Sequence, residues 1–362
     1  MPFAKMSMAA DTPRISVITP VRNGEQFLAE TVASILRQTF GDFEYLIVDD
    51  ASTDGTPEMI ARFARQDARI VPLWVPTNVN QSHALNVALD AARGELVALI
   101  DADDLAFPER LACQVRFLDA HPEVGVVGAQ VQQIDVEGNA RFAMSFPTTP
   151  ALVRWMVLFG TPVLHSAAMM RRALLASIGG YSVQWKYAND YSLWAELIER
   201  TQITNLPETL VAYRRHGSQM STTLATPQRG EVWLLIHRML AERLALRVSL
   251  DDIGALYHGV RGMSLEAAAS LVRTADLLTT IWTRYLAVEQ PDPATADAIA
   301  ADCARRLLTM VWTHRRSARD ASRVLLQRAQ SIDPELWQRP QTCAHLRRLG
   351  IKHAASTHGL RQ

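Results

Sequence analysis

Leu96-Val97-Ala98-Leu99-Ile100-Asp101-Ala102-Asp103-Asp104 is the stretch whose reading decides the fold of this chain. An apolar run of strand character delivers three carboxylates at the point where the strand ends. Carboxylates at that density repel one another, and a hard divalent cation with oxygen ligands relieves the repulsion. In open α/β sheets, ligands bind outside the carboxyl ends of the strands, which is where these aspartates fall. The same residues also fit a strand running into an acidic turn or helix cap. The triplet alone leaves both readings open.

Upstream, strands alternate with helices. Residues 14–20 read as a short β-branched strand closed by Pro20, which cannot continue a central ladder. Phe27, Leu28, Val32, Ile35 and Leu36 recur at helical spacing within residues 24–38. A second strand at 43–48 ends in Asp49-Asp50, and Asp54-Gly55-Thr56-Pro57 turns the chain into a helix reaching Arg65. A third strand covers 69–75, where Pro72 and Pro76 predict an edge or irregular course. A helix over 82–92 leads into the strand at 96–100. This alternation predicts βαβ units and a mainly parallel sheet. It puts the polar loops at 20–25, 49–50 and 101–104 along one rim.

Downstream the pattern is less regular. Residues 124–131 read as a buried strand, 140–146 as another after a turn at 135–139, and 168–175 as strand passing into helix. Residues 190–200 form a helix with Leu193, Trp194, Leu197 and Ile198 on one face. Past Ser221 the chain becomes helical and Arg-rich, at 228–247, 264–288, 293–314 and 317–330. The predicted organisation is a disordered leader at 1–13, an α/β domain at 14–225 and a helical region at 226–362.

Hydrophobic residues make up 48% and charged residues 20% of the 362, the profile of a chain that buries a sizeable core. Formal net charge is zero, so bulk charge gives no reason to expect a nucleic-acid partner. The zero conceals an asymmetry: 18 Lys+Arg against 24 Asp+Glu in residues 1–225, and 19 against 13 in residues 226–362. Cys113, Cys303 and Cys343 form neither a metal-binding spacing nor a disulfide framework, which fits a reducing compartment. No apolar segment follows Lys5, so no signal peptide is expected. The most apolar long stretch, 151–175, is broken by Arg154, Pro162, His165, Arg171 and Arg172 and fails as a membrane span. These features predict a cytoplasmic protein.

Six pieces of the chain, taken in order, resemble the family 2 glycosyltransferases of the GT-A fold. They are residues 17–25 (Val-Ile-Thr-Pro-Val-Arg-Asn-Gly-Glu), 34–40 (Ser-Ile-Leu-Arg-Gln-Thr-Phe), 48–56 (Val-Asp-Asp-Ala-Ser-Thr-Asp-Gly-Thr), 84–86 (Ala-Leu-Asn), 101–104 (Asp-Ala-Asp-Asp) and 108–111 (Pro-Glu-Arg-Leu). The resemblance covers residues 14–221. The motif Gly-x-Gly-x-x-Gly of dinucleotide-binding domains is absent. Two departures stand out: Ala51 occupies a position that is usually glycine in this family, and Asn80 another where glycine is common. Asparagine tolerates the left-handed region better than most residues.

The resemblance implies a GT-A domain, Rossmann-like with a mainly parallel central sheet, followed by an α-helical C-terminal region. It implies an inverting, metal-dependent transfer of a sugar from a nucleoside-diphosphate donor, UDP by preference, to a hydroxyl acceptor in glycan or polysaccharide synthesis. The rivals are a nucleotidyltransferase, whose glycine- and lysine-rich phosphate loop is missing here, and a non-catalytic glycan-binding scaffold. By the same resemblance, Asp50 binds the nucleotide base, and Thr19, Pro20 and Val21 frame base and ribose. Glu25 contacts the nucleotide or caps the following helix. Asp103 is the direct ligand of Mn²⁺ or Mg²⁺, and Asp101 reaches the ribose, or the metal through water. Asp104 either joins them or caps the helix opening near Pro108. Asp190 is the base that deprotonates the acceptor, or else an N-cap. His216, within Tyr213-Arg-Arg-His-Gly-Ser-Gln-Met-Ser221, is a third metal ligand or a pyrophosphate contact, and Arg214 or Arg215 meets phosphate oxygens. His165 carries a weaker reading of the same kind. In the helical region, the basic stretch 305–328 with its interleaved Leu307, Leu308, Met310, Val311, Trp312, Leu325 and Leu326 fits either packing, including against a second copy, or peripheral contact with the inner face of an anionic membrane.

Overall fold

The computed structural model describes residues 12–78, 80–263, 265, 268–340 and 342. The expected leader at 1–13 therefore lies outside the described residues except for its last two positions. The chain divides into two compact units, one within Met1–Val153 and Thr161–Gln228, the other within Arg154–Gly160 and Arg229–Gln362.

The first unit is an α/β sheet structure. Its elements in order are β1 (Ile15–Val21), α1 (Leu28–Leu36), β2 (Phe43–Asp50), α2 (Thr56–Gln66), β3 (Ile70–Val75), α3 (Gln81–Ala91), β4 (Leu96–Leu99), β5 (Leu105–Ala106) and α4 (Arg110–Ala120). There follow β6 (Val124–Ile134), β7 (Ala140–Met144), α5 (Pro150–Met156, whose last three residues belong to the second unit), β8 (Met169–Arg171), α6 (Arg172–Ser177), α7 (Asn189–Leu197), β9 (Gln202–Arg214) and α8 (Met220–Thr223). The strand order is β3-β2-β1-β4-β8-β6-β9-β5, with β7 on β6. β3, β2, β1 and β4 are all parallel, as are β6 and β9. The pairings of β4 with β8, β8 with β6, β6 with β7 and β9 with β5 are antiparallel.

Every residue of β1, β2 and β4 is buried, as expected of parallel strands covered on both faces. On one face Ile15, Val17, Tyr45, Ile47, Leu96 and Ala98 meet Leu28, Val32 and Ile35 of α1, Ile60 of α2, and Leu111, Val115 and Leu118 of α4 in one core. β3, with Pro72, lies at the sheet edge as its prolines predict.

Pro20 corrects one expectation. The strand does not stop there but runs to Val21 in the middle of the sheet. Parity explains the tolerance. The Ile18 carbonyl accepts from Ile100 on the β4 side, and Pro20, two residues on, faces the same way. The register with β4 ends at Ile18↔Leu99, so the missing N–H leaves no ladder bond unmade.

The sequence reading also passed over β9. Its burial breaks at Pro207, Glu208 and Thr209, all exposed. There the register against β6 slips between Gly128↔Asn205 and Gln130↔Thr209. The Gln130 side chain fills this bulge, donating to the Leu206 carbonyl (2.8 Å) and accepting from the Phe146 N–H (2.7 Å). A bulge erases the alternation on which strand recognition depends.

The second unit is helical: α9 (Ala225–Leu244, entering from residue 229), α10 (Leu250–Gly259), α11 (Ala268–Glu289), α12 (Pro293–His314) and α13 (Arg319–Ile332). Trp155 is buried at 1% exposure, lies edge-on to Phe159 and Tyr285, and donates its indole N–H to Asp302 (2.7 Å). Arg154 and Arg243 both reach the Glu289 carboxylate, at 3.1 and 2.8 Å. Leu307, Leu308, Met310, Val311 and Leu325 of the basic stretch are buried within this unit. No described helix is long and apolar enough to cross a membrane.

Candidate active site

The rim loops are bound to each other before any ligand arrives. After β1, the Asn23 N–H donates to Ser52 Oγ (2.9 Å), and Asn23 Oδ1 accepts from the Thr53 N–H (2.8 Å). The Gly24 N–H donates to Thr56 Oγ1 and the Glu25 N–H to Asp54 Oδ2. Glu25 in turn accepts from the Gly55 N–H (3.1 Å). Its carboxylate thus serves the start of α2, not the following helix α1 as one expectation had it. Thr19, at 0% exposure, shares a hydrogen bond with the Tyr45 hydroxyl (2.9 Å). Pro20 and Val21 are buried at the strand end beside it. Asp50 is buried at the end of β2, one register step past Asp49↔Val21. Asp49 accepts from the Ser52 N–H (3.2 Å) and so shapes the turn. In that turn Ala51 has φ +54°, the left-handed conformation expected of a glycine site. Asn80 has φ +152° and caps α3, its side chain accepting from the His83 N–H.

The three aspartates after β4 divide. Asp103 faces His216, whose Nε2 is 2.8 Å from Asp103 Oδ2 while Nδ1 is 2.8 Å from Ser218 Oγ. Burial, then the charge of Asp101, pushes the Asp103 carboxyl above its ordinary value, with His216 opposing. Asp104 is fully buried and accepts from the Arg214 N–H (2.8 Å). The helix near Pro108 begins at Arg110 after Glu109, so Asp104 is no cap. It fastens β9 to the aspartate turn. Burial first, then the charges of Asp103 and Asp101, raises its carboxyl well above the ordinary value. The hydrogen bonds of Ser166 and the Arg214 N–H oppose this. The nearby Arg110 guanidinium, also buried, donates to the Leu99 and Ala168 carbonyls and is itself lowered to about 10 by burial.

Arg214 is not where its expected role would put it. Its side chain is 1% exposed, donates to the carbonyls of Asp103 and Val136 (3.0 and 2.8 Å), pairs with Glu30 (2.7 Å) and lies over the Phe27 ring. Those commitments make it a clamp on the turn that carries Asp103. Phe27 also packs against the His216 ring, with centroids 4.8 Å apart.

Asp101 turns elsewhere. Its Oδ1 accepts from His165 Nδ1 (3.3 Å) and from Gln81 Nε2 (3.4 Å). Burial acts to raise its carboxyl, but the His165 hydrogen bond and charge outweigh it and hold the value below ordinary. Among the described residues no three His, Cys, Asp or Glu side chains gather to hold a metal. Asp101, expected at the ribose or at the metal through water, has its Oδ1 hydrogen-bonded to His165 and Gln81. The pair Asp103–His216 remains, a carboxylate and an imidazole side by side. The carboxylate of this partial donor set suits Mg²⁺ or Mn²⁺, the imidazole favours Mn²⁺ of the two, and phosphate and water would complete the shell.

Asp190 sits in the first turn of α7, which is capped by Ala188; the N-cap alternative is not what the structure has. Asp190 Oδ1 accepts from the next residue's N–H (2.7 Å). Burial raises its carboxyl above the ordinary value, and the charge of His165 opposes. Gln81 links this end of α7 to the aspartates, accepting from Asn189 Nδ2 (3.3 Å) while donating to Asp101. Asn86, from the piece at 84–86, donates to the Tyr181 carbonyl and accepts from its N–H (2.9 and 2.8 Å). Gly180 has φ +80°, and a Cβ there would lie 2.5 Å from Asn86 Oδ1. Gln81, Tyr181 and Glu30 carried no signal in the sequence, since their roles arise only from tertiary juxtaposition. Arg110 and Gln38 did carry one, lying within quoted pieces. Gln38 accepts from the Leu111 N–H (3.0 Å) and donates to the Phe107 carbonyl (2.8 Å).

A sheet whose β3, β2, β1 and β4 run parallel, with aspartates beyond the carboxyl ends of its strands, is the arrangement of the GT-A fold. Solved structures with this fold include Staphylococcus aureus TarS 1-349 in complex with UDP-GlcNAc (22% identity, 90% of this chain and 92% of that one, TM-score 0.53). Another is the mannosyltransferase PcManGT from Pyrobaculum calidifontis with GDP-Man and Mn²⁺ (22% identity, 88% of each chain, TM-score 0.51). The glycosyl transferase family 2 model matches residues 16–179. Putative glycosyltransferase EpsE of Bacillus subtilis is 37% identical over 190 residues, 52% of this chain and 67% of that protein. The chain spans 55% of the longer TarS chain. This protein belongs to glycosyl transferase family 2 and is a glycosyltransferase.

Proposed function

We propose that the protein transfers a sugar, with inversion, from a UDP-linked donor to a hydroxyl acceptor in glycan or polysaccharide synthesis, using Mn²⁺ or Mg²⁺. The observation that carries this reading is the pairing of Asp103 with His216 at 2.8 Å beyond β4, with Asn189, the neighbour of Asp190 at the start of α7, joined to the same rim through Gln81. Asp50 with Thr19, Pro20 and Val21 holds the base and ribose. Asp103 and His216 hold the cation. A divalent cation on a diphosphate neutralises the charge of the leaving group.

Asp190 takes the acceptor hydroxyl proton as that oxygen attacks the anomeric carbon. The bond to the diphosphate breaks on the opposite face, which inverts the configuration. Burial helps, because a carboxylate with a raised value is the stronger base. The ligands named with TarS and PcManGT, UDP-GlcNAc and GDP-Man with Mn²⁺, support donor class and metal. The test is a donor-hydrolysis screen over nucleotide sugars followed by NMR of the product. The reading predicts turnover with a UDP-sugar and an inverted anomer; a retained anomer contradicts the role of Asp190.

A further inference from the structure

Two polar links join the aspartate turn to the segment leading into α7, and one of them runs through a buried histidine. His165 is 6% exposed and Tyr181 2% exposed. His165 Nδ1 donates to Asp101 Oδ1 at 3.3 Å, and Nε2 stands 2.9 Å from the Tyr181 hydroxyl, the two rings meeting edge-on. Tyr181 is fixed in its turn, because Asn86 holds both its N–H and its carbonyl. Ser166, next to His165, accepts from the Asp101 N–H (3.1 Å), so backbone and side chain of Asp101 are gripped from one short helical turn. Gln81 forms the second link, from the same Oδ1 to Asn189. Both donors to Asp101 Oδ1 therefore trace back to residues 181–190, which carry the acceptor-side base.

We propose that His165 is a positioning residue. Clamped between the Tyr181 hydroxyl and Asp101, it sets the orientation of the Asp101 carboxylate for the donor and ties that orientation to the acceptor-side segment. A carboxylate at a strand end rotates about its Cβ–Cγ bond unless its lone pairs are occupied. An imidazole with both nitrogens bound is a rigid spacer, and partners of this kind are worth about 10–100-fold in ligand affinity or activity. The inference rests on the donor-site reading above.

The experiment is calorimetric titration of UDP, with GDP in parallel, into the full chain with excess Mn²⁺. Wild type is compared with His165→Asn, His165→Leu and Tyr181→Phe, with melting temperatures recorded alongside. Asparagine at 165 restores a donor toward Asp101 but does not reach Tyr181; leucine restores neither. UDP affinity is expected to fall by about 10-fold or more in His165→Leu and to recover in His165→Asn to about the level of Tyr181→Phe. Tyr181→Phe removes one hydroxyl with the packing intact, so it stands in if the leucine variant does not fold. It is expected to weaken UDP binding by about 3-fold or more without a matching fall in melting temperature.

Equal losses in the asparagine and leucine variants, tracking their melting temperatures, overturn the positioning role. So does UDP affinity unchanged in folded His165→Leu or, where that variant does not fold, in Tyr181→Phe. Failure of wild type to bind either nucleotide overturns the donor-site reading itself, and the inference with it.

Discussion

Ala51 holds φ +54° at the turn after β2. A Cβ in this conformation costs roughly 1–2 kcal/mol, and glycine gives back about 0.5–1 kcal/mol through its freer unfolded chain. Ala51→Gly is expected to stabilise the sheet unit by about 0.5–1 kcal/mol, read from urea unfolding; a lower midpoint contradicts the turn geometry. The proposed role of Asp190 implies a pH dependence. A base acts only when ionised, and this carboxyl is raised by burial, so under that proposal kcat falls as pH drops through a value above the ordinary aspartate range. Asp190→Asn should cost about 10²–10⁴-fold in kcat and abolish that acid limb while leaving UDP affinity unchanged. Asp50, Asp101, Asp103 and Asp190 stand out in the sequence because carboxylates after apolar strands or at helix starts are conspicuous. His165 and Gln81 do not. Their partner Asp101 lies 64 and 20 residues away, and no local pattern encodes such a meeting. Arg214 misled for a related reason: an arginine beside a histidine loop suggests phosphate, yet this one is buried as a clamp.

At the level of elements, helices and parallel strands were legible wherever periodicity was clean. β1, α1, β2, α2, β3, α3 and β4 all fall within a few residues of their predicted spans. What escaped were elements whose pattern is interrupted. The bulge at 206–208 hides β9, and the short α10 falls between the helices predicted at 228–247 and 264–288. Pro20 misled because its cost depends on where the neighbouring strand ends, which one strand's sequence does not state. Asn86 shows how an element positions the site: from α3 it makes two hydrogen bonds to the Tyr181 backbone. Asn86→Ala removes both, which should destabilise the unit by about 1–3 kcal/mol and lower kcat more than a distant substitution of equal cost. Thermal melts with parallel kinetics check this; a kcat that merely follows stability contradicts it.

In the helical unit, arginines converge in pairs on two half-buried carboxylates: Arg305 and Arg306 on Asp302, Arg154 and Arg243 on Glu289. Burial acts to raise the Glu289 carboxyl, but the two arginines hold it below its ordinary value. The unfolded chain then binds the proton more readily. The network's contribution is complete above the ordinary glutamate range and is lost as pH falls through the lowered value. Glu289→Gln is expected to cost roughly 1–3 kcal/mol at neutral pH, with the difference from wild type narrowing in acid. A gap that widens instead contradicts the pairing.

The proposed activity turns on the rim beyond β4, where Asp103 and His216 are paired. The most direct measurement is calorimetric titration of UDP into wild type and Asp103→Ala, each with Mn²⁺ and with chelator. The account predicts binding by wild type only when Mn²⁺ is present, and none by the variant. UDP and GDP both failing to bind wild type with metal, or UDP binding Asp103→Ala as tightly as wild type, would contradict it.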